Sequence, residues 1–413
     1  MPDVGPATER NGIEREARVH LPVYARQPLV LVRGAGCWVW DDQGRRYLDL
    51  VAGIAVNILG HSHPAVAEAL TNQARTLLTV SNLYYTLPQL ELADMLLARS
   101  PFDRAFFVNS GTEANEAAIK LARRHGNARG AYEIVSLIGS FHGRTFGSLS
   151  ATGQPKYAQP FAPLPEGFIH VPMNDTDALQ AVVGNRTAAI LLEPIQGESG
   201  VHPLTDAYLV AAREAADRVG ALLILDEIQT GIGRTGTFFA FEQTPIRPDV
   251  VTLAKGLGGG VPIGAMLVRE TASSFQLGDH GTTLGGNPLT AAAAIATLRV
   301  LDEEHLLDAA RERGAQFVAG LHGLVTEGLA SELRGRSLMI GVETAKPIAR
   351  QAMAIARDQH GLLVNATGDT TLRLVPPLVI TPDEVDEAVI RLRAALIDAA
   401  EVAGEEGFEP SIS

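Results

Sequence analysis

Residues 251–260, VTLAKGLGGG, place one lysine, Lys255, after a short apolar run and before a loop of glycines. A lysine amine near its ordinary pKa of about 10.4 is a poor nucleophile. Burial or a cationic neighbour lowers that value, and the neutral amine can then condense with an aldehyde to form a Schiff base. The glycines leave space beside it and allow backbone shapes that other residues resist. By itself the tripeptide Ala-Lys-Gly reads more readily as a surface lysine next to a flexible loop. The assignment therefore depends on partners elsewhere in the chain.

Five other stretches offer such partners. Ser110-Gly111-Thr112 follows a buried strand pattern and opens a helix pattern. Free backbone N–H groups and the positive helix end bind anions there, and Gly111 lets a phosphate approach. The alternative is a capping arrangement between Thr112 and Glu116. Without a Walker lysine, the segment is not a nucleoside-triphosphate loop. Asp226 ends the apolar run ALLILD, where a carboxylate can hold a proton on a heteroaromatic nitrogen. A helix cap or, with Glu227, a metal ligand is the competing reading, but no HxH or HExxH pattern lies near the pair in sequence. In FHGRT, Phe141 can stack on a flat ring and Arg144 can grip a carboxylate; a loop arginine is otherwise usually solvated. Arg373 sits in the apolar stretch LRLVPP and needs an anionic partner if buried, for which Glu198 of EPIQGE is the candidate. His61 and His63 flank a proline-led helix start and read as structural. Phosphate cradle, stacking aromatic, ring-nitrogen carboxylate and amine nucleophile are together what pyridoxal 5′-phosphate requires.

These groups must be brought to one place, and the pattern says how. At 413 residues the chain is long enough for two domains. From about residue 88 to 270, continuous apolar strands near 105–109, 132–138, 188–193 and 221–226 alternate with helices, the pattern of a mainly parallel sheet covered on both faces. Such sheets bind ligands at the carboxyl ends of their strands, where Ser110, Asp226 and Lys255 fall. The expected division is a flexible arm over 1–18, an N-terminal segment over 19–62 packing with the small domain, a large domain over 63–287, a small α+β domain over 288–404 and a flexible tail over 405–413. The formal charge of −13 and the lack of a basic run disfavour nucleic acid and anionic membrane as partners. Cys37 is the single cysteine, so an intramolecular disulfide is impossible and a reducing, cytoplasmic setting fits.

The motifs GIAVNILGHSHP (53–64), NSGTEANE (109–116), FHGRT (141–145), EPIQGE (193–198), LDEIQTG (225–231), KG (255–256) and GGNP (285–288) resemble those of class III aminotransferases. The likeness runs from about residue 28 to 396 and is strongest to the acetylornithine branch. It implies the fold-type I architecture, with a mainly parallel seven-stranded central sheet in a large domain beside a smaller α+β domain. It also implies a homodimer with pyridoxal 5′-phosphate, Lys255 as covalent anchor and proton carrier, Asp226 on the ring nitrogen and Gln229 on the ring hydroxyl. Phe141 and Ile228 would cover the two ring faces. Ser110, Gly111 and Thr112 would hold the phosphate, and Thr283 that of the neighbouring subunit, with Thr282 near the neighbour's substrate. Arg144 would take the acetylornithine carboxylate and Arg373 the α-carboxylate of glutamate or 2-oxoglutarate, with Glu198 gating Arg373. The implied reaction is transamination of N2-acetyl-L-ornithine with 2-oxoglutarate, a step in arginine biosynthesis. Other readings are an ornithine, succinyl-diamine or 4-aminobutyrate ω-aminotransferase, an aminomutase or racemase, and a non-catalytic regulator that binds the cofactor. Two departures matter. Gly53 stands where ornithine δ-aminotransferases of the group carry a tyrosine for the free α-amine, which favours an N-acylated substrate. Leu284 stands where an aromatic residue is common.

Overall fold

The computed structural model describes residues 9–405. Its centre is a seven-stranded sheet in the order Arg104–Val108, Gly264–Val268, Val250–Leu253, Leu222–Asp226, Thr187–Leu192, Glu133–Leu137, Phe168–Val171. All neighbours run parallel except Gly264–Val268, which is antiparallel to both of its partners. The strands Thr187–Leu192 and Leu222–Asp226 are buried along their whole length, as their unbroken apolar sequences require once helices cover both faces. Because the one reversed strand is interior to the order, Arg104–Val108 points the same way as Val250–Leu253. Six carboxyl ends therefore open on one edge, and five of them deliver Ser110, Phe141, Glu193, Asp226 and Lys255 there. Phe168–Val171, Gly264–Val268 and the helix Leu306–Thr326 were not distinct in the sequence pattern.

The chain after the sheet forms an antiparallel sheet, Ala330–Arg336, Met339–Thr344, Thr371–Leu374 and Asn365–Ala366, flanked by helices Ala349–Asp358 and Pro382–Glu405. The strand Arg46–Asp49, third of an N-terminal meander, pairs in parallel with Leu362–Leu363, in the register Leu48 with Leu362. Helix Pro288–Glu303 packs on Pro64–Thr76 and Leu87–Leu97. The boundary we propose at 287 is thus a division of the chain more than of the packing. The arm read over 1–18 contains helix Glu9–Val19, while residues 1–8 of that arm and residues 406–413 of the tail lie outside the described residues.

One strained turn leads into the site. Ala52, Gly53, Ile54 and Ala55 all have positive φ, from 50° to 66°. A left-handed turn costs a non-glycine L-residue about 1–2 kcal/mol each, so three of these four positions must be held from outside. Asp49 does part of this: its Oδ1 accepts the N–H groups of Val51 (2.8 Å) and Ala52 (3.0 Å), and its Oδ2 meets His61 Nε2 at 2.8 Å. His61 is structural, as read. The turn ends at Val56, a wall of the cavity described next.

Candidate active site

A cavity of about 460 Å³ opens at the carboxyl edge of the central sheet, within the usual range for a small-molecule site. It is lined by Ser110, Gly111, Thr112, Phe141, Arg144, Glu198, Asp226, Ile228, Gln229 and Lys255, so the structure brings together ten of the predicted residues from five separate segments.

Lys255 follows strand Val250–Leu253 at the start of a single 3₁₀ turn, Lys255–Gly258, with φ of +34°. Burial lowers its amine from the ordinary value to about 8. The Glu198 and Asp226 carboxylates oppose that shift and the Arg373 guanidinium adds to it. At pH 7.5 a group with that pKa is neutral roughly a quarter of the time, against about 0.1% for an ordinary lysine. That is the state a nucleophile or base needs.

Asp226 is buried and held on both oxygens. Oδ2 accepts from Asn115 Nδ2 at 2.7 Å and meets His142 Nδ1 at 2.8 Å, and Oδ1 accepts from the Ile228 N–H at 3.0 Å. Asn115 is fixed in turn, giving its second N–H to the His142 carbonyl (2.8 Å) and accepting from Thr252 Oγ1 (2.8 Å). The carboxylate cannot turn away; Oδ2 is filled by its two donors, and Oδ1 keeps one lone pair for a further donor. Neither the cap nor the metal reading of Asp226 describes this. Its neighbour Glu227 is turned into the protein instead, accepting the N–H groups of Ala240 (2.6 Å) and Phe241 (2.8 Å), and burial raises its carboxyl to about 8.

Ser110 caps helix Gly111–Gly126, accepting from the Glu113 N–H at 3.3 Å, while Glu113 Oε2 accepts from the Asn109 N–H at 2.6 Å. The capping pair is Ser110 with Glu113, not Thr112 with Glu116. Glu116 reaches across to the N–H groups of Gly147 (2.9 Å) and Ser148 (3.0 Å) and so fixes the loop that carries Arg144. The helix N-terminus faces the cavity with the N–H groups of Gly111 and Thr112, a ready anion site. Gly111 has a second reason to be glycine: a Cβ there would stand 2.7 Å from Ile228 Cδ1.

Phe141 packs edge-on to Tyr157, and the exposed Arg144 guanidinium lies 3.7 Å from the Tyr157 ring centroid. Arg373, only 1% exposed, donates to Glu198 Oε1 at 2.6 Å, to the Gly197 carbonyl at 3.1 Å, to Gln229 Oε1 at 3.2 Å and to Asn365 Oδ1 at 2.8 Å. The pairing of two residues 175 positions apart, which the sequence left open, is thus made. Thr282 bonds Asn109 Nδ2 at 3.2 Å, and Thr283 is exposed; neither lines this chain's cavity. Sequence reasoning missed Asn115, His142 and Glu193, all buried at this edge.

With this geometry in hand, residues 22–396 match the family model described as aminotransferase class-III. The acetylornithine aminotransferase of Gloeobacter violaceus is 52% identical over 371 residues, covering 89% of this chain and 92% of the relative. Among solved structures, the ornithine aminotransferase of Toxoplasma gondii, described with partial occupancy of PLP at its active site, superposes with a TM-score of 0.91 at 32% identity, covering 96% of each chain. The N-acetylornithine aminotransferase of Stenotrophomonas maltophilia gives 0.81 at 42% identity, covering 95% of this chain and all of the other. The chain belongs to the class-III aminotransferases.

Proposed function

Because the chain is a class-III aminotransferase, we propose that it moves the δ-amino group of N2-acetyl-L-ornithine to 2-oxoglutarate. The products are N-acetyl-L-glutamate 5-semialdehyde and L-glutamate, in arginine biosynthesis, with pyridoxal 5′-phosphate as cofactor. The observation that carries this reading is the bond at 2.6 Å between buried Arg373 and Glu198, the latter lining the cavity that also holds Lys255 and Asp226.

The donor set fits the cofactor: an anion-binding helix end at Ser110, Gly111 and Thr112, a fixed carboxylate at Asp226 and an amine at Lys255 whose pKa burial lowers to about 8. When bound, the cofactor supplies the aldehyde that accepts the amino group and a ring that withdraws electrons. Asp226 would face the ring nitrogen and Gln229 the ring hydroxyl, with Phe141 and Ile228 on the two ring faces. Lys255 Nζ holds the cofactor at rest and then takes the proton from the carbon that bears the donor amine. Arg144 would bind the carboxylate of acetylornithine. Glu198 covers Arg373 for that donor and yields it to the α-carboxylate of glutamate, so one pocket serves two shapes of donor. At Gly53 no side chain is present to meet a charged α-amine, which favours the acylated substrate.

The protein acts as a cytoplasmic homodimer in this reading. Thr283 would reach the neighbour's phosphate and Thr282 would lie near its substrate. The exposed apolar run Leu83 (81%), Tyr84 (71%) and Tyr85 (95%) supports pairing of two copies. Side-by-side turnover of acetylornithine and ornithine tests the assignment: a strong preference for acetylornithine is expected, and a preference for ornithine overturns it together with the Gly53 argument.

A further inference from the structure

Glu193 is a carboxylate to which the reaction above gives no task. It follows strand Thr187–Leu192, is buried, and lines the same cavity as Lys255 and Asp226. Its two oxygens are divided between two loops. Oε2 accepts the Phe141 N–H at 2.9 Å, and Oε1 accepts the Gly197 N–H at 3.3 Å. The first loop carries Phe141 and Arg144; the second carries Glu198, whose carboxylate meets Arg373. A buried carboxylate whose bonds are two backbone N–H groups is an expensive way to fill space, and an apolar side chain would fill it more cheaply. The arrangement makes sense only if the two loops need a common anchor.

We propose that Glu193 is a positioning residue that clamps the Phe141 loop and the Gly197–Glu198 loop to one strand end, so that the seating of the cofactor ring and the state of the Arg373–Glu198 pair are set together. The inference rests on the roles given above to Phe141 and Glu198. The clamp is also sensitive to pH. Burial raises the Glu193 carboxyl to about 7; the Asp226 carboxylate adds to this, while His142 and the two N–H groups oppose it. Lys255 also faces it, and beyond Lys255 stand Glu198 and Arg373. A charged acceptor holds an N–H more strongly than a neutral one, so the clamp tightens as pH rises through about 7.

Glu193→Gln keeps the shape but replaces one acceptor with an NH₂ group, so one loop loses its bond. Three quantities are measured on the full-length protein: the melting temperature, the rate at which pyridoxal 5′-phosphate leaves into a trap, and the ratio of kcat/KM for acetylornithine to that for glutamate. For the variant, cofactor loss is expected to be roughly ten- to a hundredfold faster, and the donor ratio to move about tenfold. In the wild-type protein, cofactor loss is expected to be about five- to tenfold faster at pH 6 than at pH 8, a difference absent from the variant. A lower melting temperature with both other quantities unchanged, or a change in only one of them, refutes the clamp. If the variant does not fold, a wild-type release rate that is flat between pH 6 and 8 refutes it instead. Failure of the substrate assignment is told apart, because cofactor release needs no donor and the ratio can be taken with any ω-amine the enzyme turns over.

Discussion

Glu198→Gln separates the two half-reactions. In the resting arrangement Arg373 is almost wholly buried and spends its strongest bond on Glu198, at 2.6 Å. A glutamate donor must displace that carboxylate before its own can bind. Removing one partner of a fully buried ion pair costs about 3–5 kcal/mol, but two features reduce the figure here. Arg373 keeps neutral acceptors at the Gly197 carbonyl, Gln229 and Asn365, and the Glu198 side chain is 26% exposed. About 1–2 kcal/mol is then released to a glutamate donor, which is a five- to thirtyfold fall in its KM. The ω-amino donor meets an uncovered guanidinium instead and loses a similar factor in kcat/KM. The ratio of the two donors should therefore move by about a hundredfold. Burial would raise the Glu198 carboxyl, but Arg373 and then Lys255 outweigh it and hold it below its ordinary value, so the switch is charged throughout the neutral range. The same substitution removes the largest charge that raises the Lys255 amine, whose pKa should drop below about 8. Rapid-mixing absorbance of the cofactor, one donor at a time, reads each half-reaction. Equal losses in both, or no change in the ratio, would refute the gating argument.

Three further outcomes follow from the same geometry. Acylation of Lys255 in the cofactor-free protein, followed by peptide mass, should titrate with a midpoint of about 8. The folded state then binds fewer protons than the unfolded state between about 8 and the ordinary lysine value. Stability should rise with pH across that window and not do so in Lys255→Met. Asn115→Ala removes one donor to Asp226 and the acceptor of Thr252, so cofactor affinity should fall about tenfold with little change in KM for either donor, as measured by fluorescence titration. Arg234 is buried and donates to the Leu338 carbonyl (2.9 Å) and the Pro376 carbonyl (2.5 Å); Arg234→Ala leaves a cavity and both carbonyls unpaired, and chemical denaturation should show a loss of about 3–5 kcal/mol.

Much of the fold was legible because burial on both faces writes itself into composition. AAILL and ALLILD have no polar face to alternate, so they had to be central strands between helices, and Thr187–Leu192 and Leu222–Asp226 are. Phe168–Val171 is one of the two edge strands and carries the half-exposed pattern of one, which reads as loop in isolation. Gly264–Val268 is buried but short and follows a glycine-rich segment, and nothing in its own sequence says that it runs backward between two strands that point the other way. Helix Leu306–Thr326 is interrupted by three glycines, Gly314, Gly320 and Gly323, which weaken its helical signal; a Cβ at Gly314 would stand 2.5 Å from the Ser337 backbone, so tertiary packing selects a residue that local propensity disfavours.

The site divides along a similar line. Lys255, Asp226 and Ser110 sit where a strand ends, and the strand announces them. Asn115 acts on the His142 carbonyl and on Asp226 across 27 and 111 positions of chain, and Glu193 on the Phe141 N–H across 52, and no local pattern encodes such a distance. Each nevertheless leaves a trace. Asn115 lies among Ala114, Ala117, Ala118 and Ile119 on a helix face that is otherwise apolar and buried, and a buried amide must find partners. Glu193 extends an unbroken apolar strand by one charged residue, as Asp226 does on the neighbouring strand, yet only Asp226 was read as functional. The two carboxylates differ in what holds them: Asp226 has two side-chain partners fixed for the purpose, whereas Glu193 has two backbone N–H groups from different loops. A carboxylate locked by side chains keeps one fixed oxygen, here Oδ1, aimed for a ligand. One held by the backbone of two loops positions those loops, and the cofactor-release measurement separates these two uses at neighbouring strand ends.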